Sequence, residues 1–324
     1  MTIPGQMLRA AIVAILVAML PSLALAQSCS FTVTNMNFGA VDTLSGSAAT
    51  STATLNVTCS GSLPLLLPIL VCPHLAAGTG GATSAAARQM LSGANSLDYQ
   101  IYSDPAMSVV WGSYAWAYAS RPPPLQLSPS VLGNSSGTLT LYGRVPGGQA
   151  TVPPGTYLST FSGGHVEFRY RTNLLGSNCD TGLGTLAASP TFTINATIAA
   201  NCLVTTQNID FGPKGVLDAN VDATGQVTVT CTPSTAYTVS LNGGTTGGTP
   251  TNRKMSKGAE RVTYGLYKDN ARTQPWGDAG TPGSTVAGTG TGAAQPLTVY
   301  GRVPPQTTPS AGVYTDTVVV TITY

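Results

Sequence analysis

The sequence LTLYGRVP at residues 139–146 returns as LTVYGRVP at residues 297–304. The separation between the two copies far exceeds the roughly 20–50 residues between successive units of a solenoid. A globular domain usually takes roughly 100–200 residues. The repeated stretch therefore predicts two tandem globular domains in this chain of 324 residues.

Further landmarks accompany this stretch in the same order in both halves. A cysteine opens each copy, a phenylalanine follows nine residues later, and a second cysteine follows after 30 or 29 residues: Cys29, Phe38 and Cys59, then Cys202, Phe211 and Cys231. Aromatic and acidic residues recur downstream with identical spacing: Tyr99, Tyr102, Asp104 and Trp111, then Tyr264, Tyr267, Asp269 and Trp276. Because both copies keep them, we expect these residues to support the fold rather than a ligand site.

The composition favours strands over helices. Only 8% of residues are charged, and the 37 glycines and 23 prolines suit short strands joined by tight turns. Period-two alternation with β-branched residues predicts strands at 53–58, 226–232, 237–241 and 318–324. The nearest approach to a helix, residues 75–90, is disfavoured by its glycines. The sequence predicts an all-β protein of two tandem β-sandwiches.

The first 26 residues have the features of a secretory signal peptide. Arg9 precedes an apolar run at 10–20, and Ala24-Leu25-Ala26 provides a cleavage site. The apolar run is too short to span a bilayer core of about 30 Å. We expect the first domain at 27–189 and the second at 190–324, with 190–199 as a linker or donor-type strand.

The six cysteines follow the predicted cleavage site and therefore reach a compartment where disulfides persist. Six cysteines allow 15 connectivities, and spacing alone does not choose among them. The duplication makes Cys29–Cys59 and Cys202–Cys231 equivalent pairs. It leaves Cys72 and Cys179 to form a bridge found in the first domain alone.

Several functional classes have little support in the sequence. Residues 27–189 carry five arginines, no lysine and five acidic residues, so they lack the positive field of a nucleic-acid binder. The two histidines, His74 and His165, fit no metal motif. The GNSSG at 133–137 spells a nucleophile elbow but lacks the strand–turn–helix context. We expect no catalytic site, no metal and no cofactor.

The ordered landmarks resemble the spore coat protein U family. They include N-x-x-F-G after the first cysteine, the paired tyrosines before Trp-Gly, Y-G-R-V-P, and a closing G-x-Y at 155–157 and 312–314. That family includes the pilins of archaic chaperone–usher pili. The resemblance implies that each domain is an immunoglobulin-like, pilin-like sandwich, a fold that lacks its last strand and is completed by a strand of the next subunit. It also implies a periplasmic pilus chaperone and an outer-membrane usher as partners.

Within that resemblance, residues 191–198 suit a donor-type strand. Their alternation puts Phe192, Ile194, Ala196 and Ile198 on one face, and we expect them to complete the first domain in cis. Two residues precede Cys29 after the predicted cleavage, and the last strand of the second domain reaches Tyr324. These positions predict a complete first domain and a second domain that needs the next pilin subunit. The expected place is the pilus tip, at the cell surface.

The residues between Trp111 and Leu139 number 27, against 20 in the second copy, and the two inserts differ. They are expected to present an apolar adhesive tip to an abiotic or host surface, with a role in biofilm formation: Tyr114, Trp116, Tyr118, Leu125, Leu127, Val131 and Leu132. The same side chains could instead pack beneath their own loop. The alternative functions are a spore or cell-surface coat protein and a sugar-binding adhesin.

Overall fold

The computed structural model describes residues 27–61, 67–84, 87–114, 120–173, 178–281 and 284–324. Secondary structure in these ranges consists of β-strands and a single 3-10 turn at Gly163–His165, so the all-β prediction is confirmed. No helix within the described ranges is long and apolar enough to cross a membrane. The predicted signal peptide at 1–26 lies outside the described residues.

The first half forms two sheets. Its strands are β1 (Ser28–Val33), β2 (Met36–Ala40), β3 (Ala49–Ser60), β4 (Ile69–Leu75), β5 (Ala82–Ser84), β6 (Ala87–Ser92), β7 (Asn95–Tyr102), β8 (Leu125–Leu127), β9 (Ser135–Val145), β10 (Gly155–Phe161), β11 (Val166–Thr172), β12 (Thr185–Leu186) and β13 (Phe192–Ile198). One sheet has the order β1-β3-β9-β7-β6-β10-β13-β2, with β5 beside β6. The other has the order β12-β11-β4-β8.

The second half repeats this arrangement with fewer strands. Its strands are β14 (Cys202–Gln207), β15 (Val221–Cys231), β16 (Ala236–Leu241), β17 (Arg253–Lys257), β18 (Glu260–Tyr267), β19 (Val286–Thr289), β20 (Gln295–Val303) and β21 (Val320–Thr323). They form a sheet β14-β15-β20-β18-β17 and a sheet β19-β16-β21. The repeated stretch that defines the duplication lies mainly on β9 and on β20, each an interior strand of its sheet.

Each half buries its own apolar cluster, as alternating strands require. On β3, Leu55 and Val57 are buried, and on β15 the matching Val227 and Val229 are buried. The first cluster takes its residues from positions 29 to 198. The second takes its buried residues from positions 221 to 303. The side chains of β13 therefore belong to the first cluster.

Three disulfides are present, with the pairings that the duplication predicts. Cys29–Cys59 joins β1 to β3 and Cys202–Cys231 joins β14 to β15, with Cα atoms 4.0 and 4.1 Å apart. Cys72–Cys179 closes a separation of 107 residues and holds the segment around Cys179 against the outer face of β4. A covalent closure of this length restricts the unfolded chain more than the two shorter ones.

The duplicated tryptophans and aspartates have structural roles, which confirms that expectation. Trp111 and Trp276 are buried, and their Nε1 groups donate to the carbonyl oxygens of Pro73 and Val239 at 2.7 and 3.1 Å. Asp104 accepts hydrogen bonds from the amides of its own turn, which lower the pKa of this carboxyl. Asp269 closes the matching turn in the second half in the same way.

A pair of buried arginines was not anticipated from the sequence. Arg88 and Arg253 lie at matching positions on β6 and β17 and are fully buried. In both halves the guanidinium donates to the carbonyl of the tryptophan, Trp111 at 2.7 Å and Trp276 at 2.8 Å. Burial lowers the pKa of Arg88 to about 10. The arginines tie the tryptophan segment to β6 in the first half and to β17 in the second.

Candidate functional site

In the first half, β13 fills a groove between two other strands. It pairs antiparallel with β10, so that Ile194 lies opposite Ser159 and Phe192 opposite Phe161. On its other edge it pairs parallel with β2, where Ile194 lies opposite Met36. The parallel pairing places β13 between two segments that are far from each other in sequence.

The inward side chains of β13 complete the first apolar cluster. Its four apolar residues are between 0 and 2% exposed: Phe192, Ile194, Ala196 and Ile198. The ring of Phe192 stacks on that of Phe161 with centroids 4.8 Å apart. The groove residues beneath this strand are equally covered, since Met36 and Tyr157 are 0% exposed.

The second half has both walls of this groove. Ile209 and Phe211 lie over Gly301 as Met36 and Phe38 lie over Gly143 in the first half. The opposite wall is the segment 312–318, which lies beside β17 through backbone hydrogen bonds between Ser256 and Thr315. No strand among the described residues lies between these two walls.

An open groove takes the place of the missing strand. Two adjoining cavities of about 560 and 710 Å³ run along it and share Phe211, Met255 and Tyr314 in their walls. Phe211 and Tyr314 are half-buried, whereas the matching Phe38 and Tyr157 are buried. The equivalent side chains are therefore covered by a strand in the first half and face the open groove in the second.

A carboxylate lines the open groove where the first half has a hydroxyl. Asp316 corresponds to Ser159 and accepts hydrogen bonds from the Tyr264 hydroxyl at 2.7 Å and the Thr245 amide at 2.9 Å. Burial, and then this hydrogen bond to Asp316, raise the pKa of Tyr264. When the two copies are aligned beyond the G-x-Y motif, Asp316 is the equivalent of Ser159. Only the structure shows that both side chains face a groove.

A second polar cluster holds the wall at the groove's end. Glu260 accepts hydrogen bonds from the Ser310 amide and the Tyr314 hydroxyl, each at 3.0 Å. Lys257 donates to Ser310 Oγ at 3.0 Å. Hydrogen bonds from Ser310, and then from Tyr314, lower the pKa of Glu260 to about 2. The first half has Asn95 at the start of the matching strand, so this cluster belongs to the second half alone.

The structure separates the residues predicted to form an apolar tip. Val131 and Leu132, on the turn between β8 and β9, are 86 and 83% exposed. Leu127 is buried and Leu125 is half-buried, because β8 pairs with β4 and both side chains pack against the first cluster. The expectation that Leu125 and Leu127 are presented to a surface is therefore wrong.

The aromatic residues of the same prediction are only partly described. Tyr114 donates its hydroxyl proton to Glu167 at 2.9 Å and packs edge-on against His74 with ring centroids 4.7 Å apart. Burial is the main cause that lowers the pKa of His74 to about 4. Tyr114 thus covers the outer face of the sheet that contains β4. Trp116 and Tyr118 lie outside the described residues.

The remaining candidates show no chemical site. The described part of the chain contains no group of three or more side chains arranged to hold a metal. The GNSSG stretch runs directly into β9, with no helix after its serines. The open groove is thus the feature of the described residues that most resembles a binding site.

Comparisons with known proteins agree with the fold. The model of the Spore Coat Protein U domain matches residues 15–163 and 188–321. Protein U of Myxococcus xanthus is 31% identical over 118 residues, which are 34% of this chain and 65% of that protein. The match to this curated relative therefore spans slightly less than two thirds of its length.

Two solved structures are also similar. One is a pre-assembly complex of the chaperone CsuC and the tip adhesion subunit CsuE from the archaic chaperone–usher Csu pili of Acinetobacter baumannii. It is 17% identical, covers 92% of this chain and 100% of that chain, and has a TM-score of 0.52. The CupB6 tip adhesin of Pseudomonas aeruginosa covers 91% of this chain and 94% of that chain at 11% identity, with a TM-score of 0.40. The first shows a shared fold, and the second is too distant to add to it.

Proposed function

The chain belongs to the Spore Coat Protein U domain family, and from this premise we propose that it is the tip adhesin of an archaic chaperone–usher pilus. Its second domain would receive a strand from the next pilin subunit, and its first domain would contact the surface. Membership of a coat-protein family accords with the prediction that the chain is not an enzyme.

The observation that carries this proposal is the open groove of the second half. The walls of that groove lie at the positions equivalent to the walls that hold β13 in the first half. An extended segment placed in it would run antiparallel to 312–318 and parallel to 209–212. Backbone hydrogen bonds to both walls and alternate apolar side chains would provide the affinity of such β-strand addition.

The first half supports the polarity of this assembly. Its groove is already filled by Phe192–Ile198 of the same chain. This pairing supports the proposal that β13 acts as an internal donor strand. A domain that is complete offers the next subunit no groove. The second half is then the one through which the chain joins the pilus.

A chaperone and an usher are the partners that this assembly needs. The similar CsuE structure is a complex with a chaperone, CsuC. We propose that a periplasmic chaperone occupies the second groove before the usher exchanges it for the next subunit. The chain would then pass through the periplasm to the cell surface.

The surface contact is proposed at the end of the first half that carries Val131 and Leu132. Leu67 is 42% exposed and lies at the same end, because it precedes Ile69, the partner of Leu127. Contiguous exposed apolar side chains favour binding to an apolar surface. Attachment to abiotic or host surfaces, and hence biofilm formation, would follow.

Capture by the pilus chaperone tests the groove directly. Phe211→Asp puts a charge into the apolar wall, and Leu203→Asp puts the same charge on an exposed position of β14 as a control. We expect co-purification with the chaperone to be lost for Phe211→Asp and kept for Leu203→Asp. Equal capture of both variants, each with its disulfides formed, would contradict the proposal.

The family name favours one alternative, a structural coat protein of a spore or cell surface. A coat protein would be found over the whole surface, whereas a tip subunit would be found once at the end of each fibre. Immunogold labelling in electron micrographs separates the two. Uniform labelling without fibres would favour the coat.

A further inference from the structure

The first groove provides the register in which the second would hold a strand. Along β13, Phe192, Ile194 and Ala196 lie opposite Phe161, Ser159 and Tyr157. The residues at the matching wall positions of the second half are Val318, Asp316 and Tyr314. A strand bound in the same register therefore places its second inward side chain next to Asp316.

Asp316 and Ser159 point in the same direction. A Cβ atom added to Gly78 would clash with Ser159 Oγ, and one added to the matching Gly244 would clash with Asp316 Oδ2. Ser159 is 0% exposed beneath the donor strand of the first half. Asp316 would be covered to the same degree once the second groove is filled.

Covering a carboxylate has a different cost from covering a hydroxyl. Ile194 lies opposite Ser159, whose neutral hydroxyl costs much less to remove from water than a charged carboxylate does. Asp316 already accepts hydrogen bonds from the Tyr264 hydroxyl and the Thr245 amide. An aliphatic side chain over it would remove its remaining water without replacement, whereas a hydroxyl or amide would donate a charge-assisted hydrogen bond.

The inward position next to that of Ile194, which is the position of Phe192, adds a second mismatch between residues 192–198 and the second groove. Phe192 stacks on the ring of Phe161 in the first groove. The second groove has Val318 there, which offers no ring for stacking. The strand that fits the first groove therefore fits the second poorly at two successive inward positions.

We propose that Asp316 is a specificity residue that excludes the chain's own strand, residues 192–198, from the second groove. The groove selects instead a partner strand whose second inward side chain donates a hydrogen bond. This inference rests on the proposed strand-accepting function. Without such selectivity, the strand of one copy could enter the second groove of another and join copies into chains.

Two peptides test the inference on the full mature chain. One has the sequence of residues 190–199, and the other carries threonine at the position of Ile194. Each is fluorescently labelled and present while the chain, with its disulfides intact, refolds from denaturant. The first groove is filled by its own tethered strand at high effective concentration, so the peptides report on the second.

We expect the threonine peptide to bind the wild-type chain about tenfold more tightly or better. Asp316→Ser should abolish most of that preference, since it recreates the wall of the first groove. Asp316→Asn, which keeps the shape but removes the charge, should reduce the preference and provides the test if Asp316→Ser does not fold. Equal binding of the two peptides to the wild type, or a preference unchanged in both variants, would overturn the inference while leaving the function intact. Binding of neither peptide would overturn the inference if the chaperone still captures the chain, and would contradict the proposed function if chaperone capture is lost as well.

Discussion

The two halves of this molecule have the same scaffold and differ at one groove. Both have a disulfide from the first strand to its paired neighbour, β1 to β3 and β14 to β15. Both also have a buried tryptophan and a buried arginine that donates to the carbonyl of that tryptophan. In the first half a strand covers Met36 and Tyr157, whereas the matching Ile209 and Tyr314 line an open groove. The exposure of these residues is therefore decided by a distant strand and not by their local sequence.

This difference has an energetic consequence. Full burial of a large aliphatic or aromatic side chain contributes about 1.5–3 kcal/mol. Residues 192–198 bury three such side chains, Phe192, Ile194 and Ile198, together with those that they cover. The described residues of the second half lack this contribution. The second half should be the less stable half of the isolated chain.

Breaking the filled groove should have the largest effect. Ile194→Asp buries an uncompensated charge in the first cluster, and we expect it to lower the unfolding free energy of that half by about 3–5 kcal/mol. Thr197→Asp places the same charge on an exposed side chain of β13 and should change stability little. Denaturant unfolding followed by the tryptophan fluorescence of each half measures both. A loss confined to the second half would show that β13 does not support the first.

The exposed turn between β8 and β9 tests whether the two halves also differ in binding to a surface. Val131→Ser combined with Leu132→Ser removes two large apolar groups from the first half. We expect binding to a hydrophobic surface to fall about tenfold or more. Val216→Ser, on an exposed position of the second half, is the matched control. Unchanged attachment by piliated cells carrying the double variant would refute this adhesive site.

The smallest expected effect is on the pH dependence of the second half. The hydrogen bonds that lower the pKa of Glu260 to about 2 stabilise its ionised form in the folded state. Its ordinary pKa is about 4.3, so this stabilisation is complete above that value and is lost as pH falls towards 2. Thermal unfolding from pH 6 to 2 should show the loss in the wild type and a smaller one in Glu260→Gln. An identical slope in the two proteins would exclude this role for Glu260.

Much of the fold could be predicted because the duplication acts as an internal alignment. It identified the disulfide pairs, the buried tryptophans and the structural aspartates such as Asp104. The surface predictions were less successful, because exposure depends on pairings between distant segments. Leu127 looks like a loop residue until β8 is seen to pair with β4.

The groove chemistry could not be read from the sequence for a related reason. Asp316 and Ser159 are in equivalent positions of the two copies, but nothing in the local sequence shows that both face a groove. The buried Arg88 and Arg253 were overlooked because charged residues are seldom fully buried. Their acceptors include the carbonyls of Trp111 and Trp276, each 23 residues away.

Hydrogen exchange at the two walls tests the central claim most directly. Thr315 makes its backbone hydrogen bonds with Ser256, so the amides of Tyr314 and Asp316 face the open groove, as those of Tyr157 and Ser159 face β13. In the isolated chain, we expect Tyr314 and Asp316 to exchange at least about a hundredfold faster than Tyr157 and Ser159. Addition of the chaperone should remove most of that difference. Equal protection of the two walls in the chain alone would contradict the account.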